Sequence, residues 1–359
     1  MTKEEKEERK KRADLMAKLY VLPVALEIAP AIDRIEGAPL DEAFEAAPSL
    51  REIMLLSLCD IISVCSAAID AKKKNMLGTD REENERFGRA IAYVKRIAIS
   101  KVRTADALWT VMDEETRLPF MYDGTVLLFS ERKLADSLVL RYAKRRGRTT
   151  LSVEEIAGSE IMRFLGRSVY ERGAKRFTVN RGDAAHLVIR AEDIAAQPDL
   201  SAVPEGARPV MNPDVFRAAT DLRHELAELM HELRLDDGPV STSKEERVRK
   251  LSDSLDETLR HATLLVPVNE GTNTVAMAAS RLARKIGIAG YPVLNIKGVV
   301  HQPVFTDWAE LRKMFPQERY GATPMSLSDL AGMSPEPIII NAASLGVAFP
   351  KSVLIDMLR

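Results

Sequence analysis

One pattern of residues occurs twice in this chain, and the distance between the two occurrences sets the scale of what it folds into. The first opens Leu108-Trp-Thr-Val-Met-Asp113; the second opens Leu264-Leu-Val-Pro-Val-Asn269, 156 residues later. Each passes a turn glycine, Gly124 or Gly298, and enters a strand that ends in phenylalanine: Leu127-Leu-Phe-Ser-Glu131 against Pro303-Val-Phe-Thr-Asp307. Further on, Ser152-Val-Glu-Glu-Ile-Ala-Gly158 pairs with Ser326-Leu-Ser-Asp-Leu-Ala-Gly332, and Phe177-Thr-Val-Asn180 with Ile338-Ile-Ile-Asn341. Solenoid repeats recur every ~20–50 residues. A spacing this long predicts duplication of a whole domain.

The expected fold class is α/β (α+β): two similar mixed-sheet domains with flanking helices at 105–195 and 263–359. A linker and helical hairpin at 196–262 join them, and a helical region at 1–104 precedes them. In the first repeat, Asp123-Gly124 between two apolar runs signals a hairpin; Lys297-Gly298 is its counterpart. Ser130 and Asp307-Trp-Ala-Glu310 are helix starts, and Asn180 and Asn341 follow apolar strands as turn formers that tolerate left-handed backbone. The second repeat carries an insertion at Asn269–Gly290 with a short helix.

In the amino-terminal region, Glu5/Arg9, Glu7/Lys11 and Glu8/Arg12 suit a solvated helix. Ser49-Leu-Arg-Glu52 and Thr79-Asp-Arg-Glu82 form capping boxes that open two periodic segments, and Asn75 to Gly78 supply the turn between them. In the joining region, Asn212 and Pro213 start a helix on which Val215, Ala219, Leu222, Leu226, Leu229 and Leu233 repeat at 4-3-4-3-4 spacing, a seam nearly three heptads long. Asp236 to Pro239 turn the chain, and the return helix carries Val248, Leu251, Leu255 and Leu259. The two seams face each other, or the first makes a homodimer through helix 213–234.

Charge and cysteine content bound the partners. With 52 basic and 53 acidic residues, no global field draws in nucleic acid or anionic lipid. Cys59 and Cys65 lie six residues apart on one helix, roughly 120° around its axis, which excludes a disulfide between them and suits a reducing cytoplasm. No apolar segment resembling a signal peptide follows the charged amino terminus. The stretch from Ile53 to Ile69 carries Asp60 at its middle, so a buried soluble helix is expected there instead of a membrane span.

The second repeat resembles the amino-terminal domain of the SseB (enhanced serine sensitivity) family. Thr263-Leu-Leu-Val-Pro-Val268, Gln302-Pro-Val-Phe-Thr-Asp-Trp-Ala-Glu-Leu311 and Ile338-Ile-Ile-Asn-Ala-Ala-Ser344, followed by Pro350-Lys351, carry the likeness. The first repeat resembles a divergent member through Leu127-Leu-Phe-Ser-Glu131 and Thr178-Val-Asn180. About half of the chain is covered. The resemblance implies the mixed α/β fold and transfers no catalytic residue.

The chemistry-bearing motifs are few. His224, Glu228 and His231 share about 60° of one helix face, away from the leucine seam. A zincin would need histidine where Glu228 stands, so a solvated charged face is expected and no metal ligand is assigned. Asp307 is a helix cap and Trp308 either packs or anchors a partner. Residues 131–190 hold fourteen Lys/Arg against seven Asp/Glu, with Arg145 and Arg146 in the densest cluster, at a helix end where cations suit the dipole. No phosphate-binding loop, dinucleotide fingerprint or nucleophile elbow is present. No catalytic residue or cofactor is therefore assigned. The expected function is that of a cytoplasmic, non-enzymatic binding or adaptor protein, away from the membrane, whose partner is another protein. Asp307, Trp308, His224, His231, Arg145 and Arg146 mark its contact surface. The alternatives are an enzyme with a site between the two repeats, and a nucleic-acid-binding regulator using the basic part of the first.

Overall fold

The structure, a computed structural model, describes residues 40–46, 48–73, 81–146, 150–183, 185–195, 200–204, 208–235, 242–269, 291–333 and 337–358, with 7, 8, 11, 15, 20 and 21 nearer the amino terminus. Of the helix expected at 1–12 only Glu7, Glu8 and Lys11 are described, and they are helical; the turn at 75–78, the cap at Thr79, the turn at 236–239 and the helix in the 270–290 insertion lie outside these residues.

Helices α1 (Leu40–Ala46), α2 (Ser49–Leu55), α3 (Leu58–Lys73) and α4 (Arg81–Arg103) come first. Then follow β1 (Ala107–Asp113), β2 (Leu118–Pro119), β3 (Met121–Tyr122), β4 (Thr125–Phe129), α5 (Arg132–Arg146), β5 (Leu151–Ala157), α6 (Gly158–Tyr170), β6 (Arg176–Val179), β7 (Leu187–Arg190) and α7 (Ala191–Ile194). The joining helices are α8 (Pro213–Leu235) and α9 (Thr242–Arg260). The remaining elements are β8 (Thr263–Asn269), β9 (Leu294–Ile296), β10 (Val299–Val304), α10 (Trp308–Arg312), β11 (Tyr320–Ser326), α11 (Leu327–Met333), β12 (Ile338–Ile340), β13 (Val347–Phe349) and α12 (Lys351–Met357). The chain is an α/β protein with several mixed sheets.

It divides into two compact units that do not follow the sequence boundaries. One contains Met1–Met112, Thr125–Leu165 and Arg176–Ala196; the other contains Asp113–Gly124, Gly166–Lys175 and Gln197–Arg359. The amino-terminal helices thus share a unit with most of the first repeat. Lys95 of α4 pairs with Asp193 of α7 at 3.0 Å, and Arg103 donates to the Ile194 and Asp193 carbonyls at 2.9 and 3.0 Å. Ile61, Ile62, Val64 and Cys65 of α3 are buried. Burial also pushes the Cys65 thiol up to about 12.

The first periodic segment is two helices where one was expected. Leu56 is extended, and Ser57 restarts the helix: its Oγ accepts the Asp60 N–H at 3.1 Å and donates to Asp60 Oδ2 at 2.8 Å. That reciprocal cap outcompetes continuation. Ser49, the expected cap, is instead the first residue of α2, and Pro48 stands in the cap position without a side-chain bond.

The longer strands of the first sheet run in the order β5-β1-β4-β6-β7. Strands β1 and β4 are antiparallel, with Trp109 opposite Phe129; β4 and β6 are parallel; β6 and β7 are antiparallel. All five residues of β4 are buried, as a strand covered on both faces requires. In the second repeat, β11 and β8 pair antiparallel, β10 and β12 parallel, and β12 and β13 antiparallel. Leu265 of β8 bridges to Phe305, just past β10, through two reciprocal 2.9 Å bonds. Strand order therefore recurs, as do the directions of the three pairs β1–β4, β4–β6 and β6–β7, and Leu265–Phe305 takes the place of Trp109–Phe129. One of the four sequence matches is out of register. Ser152 to Ala157 are strand, whereas Ser326 ends a strand and the residues after it are helix.

In the second unit the joining helices are part of the core. Val215, Phe216, Ala219 and Leu222 of α8 and Leu255 and Leu259 of α9 pack with Leu264, Val266, Val304, Ile338 and Ile340 of the strands. Leu265, between two of those strand residues, points to the opposite face with Phe305, Leu311 and Phe315, as the two-residue period of a strand demands. The first half of the α8 seam is thus consumed internally, which removes it from any homodimer; Leu226 and Leu233 of the second half are exposed. Asn212 accepts the Phe216 N–H through its carbonyl, as the residue before a helix does, but its side-chain amide donates to the Thr263 and Thr306 carbonyls, each at 2.7 Å.

Candidate functional site at the strand ends

Open α/β sheets bind ligands beyond the carboxyl ends of parallel strands, so the two parallel pairs indicate where a site would form. At the first, β6 runs into Asn180, whose φ is 60°. Its Oδ1 accepts the Ser130 N–H at 2.9 Å and its Nδ2 donates to Ser130 Oγ at 3.0 Å. At the second, β12 runs into Asn341, φ 49°. Its Oδ1 accepts the Thr306 N–H at 3.0 Å and its Nδ2 donates to Thr306 Oγ1 at 2.9 Å. The main-chain N–H of each asparagine also continues the parallel ladder, to Leu128 at 2.8 Å and to Val304 at 2.9 Å. Asparagine suits both positions because it tolerates left-handed backbone while supplying one acceptor and two donors. Each side chain staples the ends of its two strands.

The second end also carries charge. Asp307 caps α10: Oδ1 accepts the Glu310 N–H at 2.9 Å and Oδ2 the Thr306 hydroxyl at 2.8 Å. Burial raises its carboxyl above the usual range, against those two bonds. Glu310 is buried; its Oε1 accepts from the Lys313 ammonium and its Oε2 from the Ser344 hydroxyl. Arg172 lies in the same field. Its guanidinium is lowered by burial and by the charge of Arg167, while Glu171, Glu310 and Asp307 oppose the change. Three residues after Glu131, where the first repeat would place its own Glu310, stands buried Leu134. The carboxylate cluster is particular to the second repeat.

A second set of polar groups lines α8. Residues 113–124 lie over this helix, bringing Asp113 to 3.8 Å from His224 Nε2 and the Phe120 ring to 4.9 Å from the imidazole. Burial alone would raise Asp113. The imidazole of His224 beside it and the Glu115 and Thr116 amides outweigh it, and the carboxyl lies below its ordinary value. Asp221 accepts the Asp123 N–H at 2.9 Å and is pushed up to about 6, first by burial and also by the charge of Asp123. Arg223 pairs with Glu115 at 3.0 Å, and Arg247 of α9 pairs with Glu225 at 2.7 Å and lies over the Tyr122 ring.

These placements revise the expected contact surface. His224 is buried, so the helix face assigned to solvent is covered by the 113–124 hairpin; His231 is half-buried. Asp307 is buried as a cap. Trp308 is 36% exposed, with the Arg312 guanidinium 5.0 Å above its ring. Helix α5 ends at Arg146 and carries Arg145 in its last turn, but both side chains lie outside the described residues. Among the described residues, no three His, Cys, Asp or Glu side chains cluster as a metal ion requires, and no helix is long and apolar enough to cross a membrane.

Glu310, Ser344, Arg172, Asp113 and Asp221 were given no chemical role in the sequence. The last two had a detectable signal, since each is an acid interrupting an apolar pattern. The others converge from segments more than a hundred residues apart or from a loop. Comparison of the chain with protein-family models, with curated proteins and with solved structures finds no match in any of the three.

Proposed function

We propose that this is a cytoplasmic, non-enzymatic binding protein, an adaptor built from two copies of an SseB-like domain, whose partner is another protein. The two-copy reading is supported by the recurring strand order, the Trp109–Phe129 and Leu265–Phe305 pairs and the Asn180 and Asn341 staples. One observation carries the binding reading: all four carboxylate oxygens of Asp307 and Glu310, at the strand ends where chemistry would sit, already accept hydrogen bonds from the protein itself. A general base needs an oxygen within reach of a substrate proton; these hold a helix and a loop in place. The exposed groups instead include Trp308, with the half-buried Arg312 over its ring, residue types that dominate binding energy at protein interfaces.

An affinity pull-down from native cytoplasm tests the reading, repeated with Trp308→Ala and with Arg145→Glu/Arg146→Glu. Loss of one specific partner in a variant of unchanged circular dichroism supports it and locates the surface. Turnover in a metabolite screen of the purified wild-type protein, or recovery of no partner at all, counts against it.

A further inference from the structure

Helix α5 begins in ion pairs and goes on without them. Near its start Arg132 pairs with Asp136 at 3.7 Å and Lys133 with Glu131 at 2.6 Å. Further along, the guanidinium of Arg141 is fixed by backbone carbonyls alone: Nε donates to Ser137 at 3.3 Å and Nη1 to Gly182 at 3.0 Å. Gly182 stands in the turn at the carboxyl end of β6, where the Asp183 N–H donates to the Asn180 carbonyl at 3.1 Å and Gly182 has φ 87°. A Cβ at Gly182 would lie 2.0 Å from Arg141 Nη2, so glycine is what leaves the guanidinium its place. The bond brings Arg141 to the turn that carries Arg181.

Among the described residues, neither Arg141, Lys144 nor Arg181 meets a carboxylate. The acid of the turn, Asp183, stands against these three cations. After Asp136 no acid occurs until Glu154, while the chain adds Arg145, Arg146 and Arg148. Like charges gathered on one face repel one another and do not favour folding. The second repeat does without them. Its corresponding helix, α10, has five residues, and its corresponding turn, Asn341 to Gly346, carries no charged side chain, yet the strand order is the same.

Leu140, Arg141 and Lys144 span about 100° of α5, and Leu140 is 61% exposed. The surface is therefore an apolar side chain with cations beside it. Arg141, already held in place, has used two of its five N–H groups, and a planar guanidinium takes a carboxylate through two parallel bonds. Nucleic acid fits less well, because single strands are held by aromatic faces on which bases stack and the exposed side chain amid these cations is aliphatic. We infer that α5 and the β6–β7 turn dock an acidic segment of a partner protein, its carboxylates on Arg141, Lys144 and Arg181 and an apolar side chain on Leu140. This docking surface rests on the reading of the chain as a protein-binding protein made of two copies, and it gives the partner a chemistry.

The probe is a fluorescein-labelled peptide, Glu-Asp-Glu-Leu-Glu-Asp-Glu, titrated by anisotropy against the full-length protein at low salt. Saturable binding is expected, weakened roughly ten-fold or more when glutamine and asparagine replace the acids, as the loss of several charge pairs requires. Arg141→Gln, Lys144→Gln and Arg181→Gln should each weaken it roughly two- to five-fold, the range for one exposed pair. Gly182→Ala should match Arg141→Gln with the net charge unchanged, because it displaces the guanidinium. Circular dichroism checks that each variant folds, and the three surface changes keep the test valid should Gly182→Ala unfold. Arg163→Gln, which removes an exposed arginine paired with Glu160, should leave binding as it is. Four results overturn the inference: no saturable binding, equal binding of the uncharged peptide, binding indifferent to the changes at Arg141, Lys144 and Arg181, or an equal loss with Arg163→Gln, which would mark attraction to positive charge anywhere. Tighter binding of a single-stranded oligonucleotide of equal charge, weakened by the same variants, would also overturn it, by making the surface one for nucleic acid. The adaptor reading fails separately. A pull-down that recovers no partner while the peptide binds would remove that reading alone; a partner lost only with Trp308→Ala, with no peptide bound, would remove this one alone.

Discussion

Replacing Asn341 by alanine tests whether the strand-end staple is energetic or incidental. The side chain is fully enclosed, its Oδ1 is the acceptor of the Thr306 N–H, and its backbone sits at φ 49°. Alanine removes that acceptor and strands a buried donor, which costs about 1–3 kcal/mol. It also places an ordinary Cβ in the left-handed region, at about 1 kcal/mol more than asparagine pays there. Thr306 Oγ1 keeps a partner, because it also donates to Asp307. The expected loss is therefore about 3 kcal/mol, or about 6–12 °C in Tm at the roughly 2–4 °C per kcal/mol typical of units this size. Asn341→Gly loses the same bonds without the backbone penalty and should be about 1 kcal/mol milder. The assay is urea unfolding followed by tryptophan fluorescence in a Trp109→Phe background. Trp308 is then the sole tryptophan and reports on the second unit. If alanine falls within 1 kcal/mol of the parent, or glycine is the worse of the two, the reasoning is wrong.

Three further outcomes are expected. Asp221 has a folded pKa of about 6, raised from 3.8, so its charged form is disfavoured by folding: the penalty is full above pH 6 and fades as the pH falls toward 4. The urea midpoint of the second unit should rise relative to that of Asp221→Asn between pH 7 and 4, and a constant gap would contradict the assignment. Cys65, buried with its thiol pushed up to about 12, should resist an aromatic disulfide reagent at pH 8 in the native state while the half-buried Cys59 reacts first; equal rates would place Cys65 at the surface. Arg312 donates to the Phe315 and Tyr320 carbonyls at 3.1 and 2.6 Å and stacks on Trp308. Arg312→Ala should cost about 1–3 kcal/mol and shift Trp308 emission in the folded protein; unchanged emission would deny the stacking.

Much of the local architecture was legible in the chain. The hairpin turns at Asp123-Gly124 and Lys297-Gly298, the Asp307 cap and the asparagines after apolar strands each follow from one residue's backbone preference and its near neighbours. Such signals need no knowledge of distant contacts. The α2–α3 break is also a local signal: Ser57 with Asp60 caps a new helix inside a segment whose apolar period reads straight through.

What tertiary structure alone decided is which faces are covered. The periodicity of α8 marks His224 as lying away from the leucine seam, and so it does, but the 113–124 hairpin buries that face with Phe120 and Asp113. Helical spacing encodes the direction in which a side chain points along its own element, and says nothing about what arrives from a hundred residues away. The same limit hid the Glu310–Ser344 bond and set the division into two units, because both depend on contacts between segments whose separation along the chain leaves no periodic trace. A helix face is apolar or polar by sequence; it is buried or exposed only by what the rest of the chain packs on it.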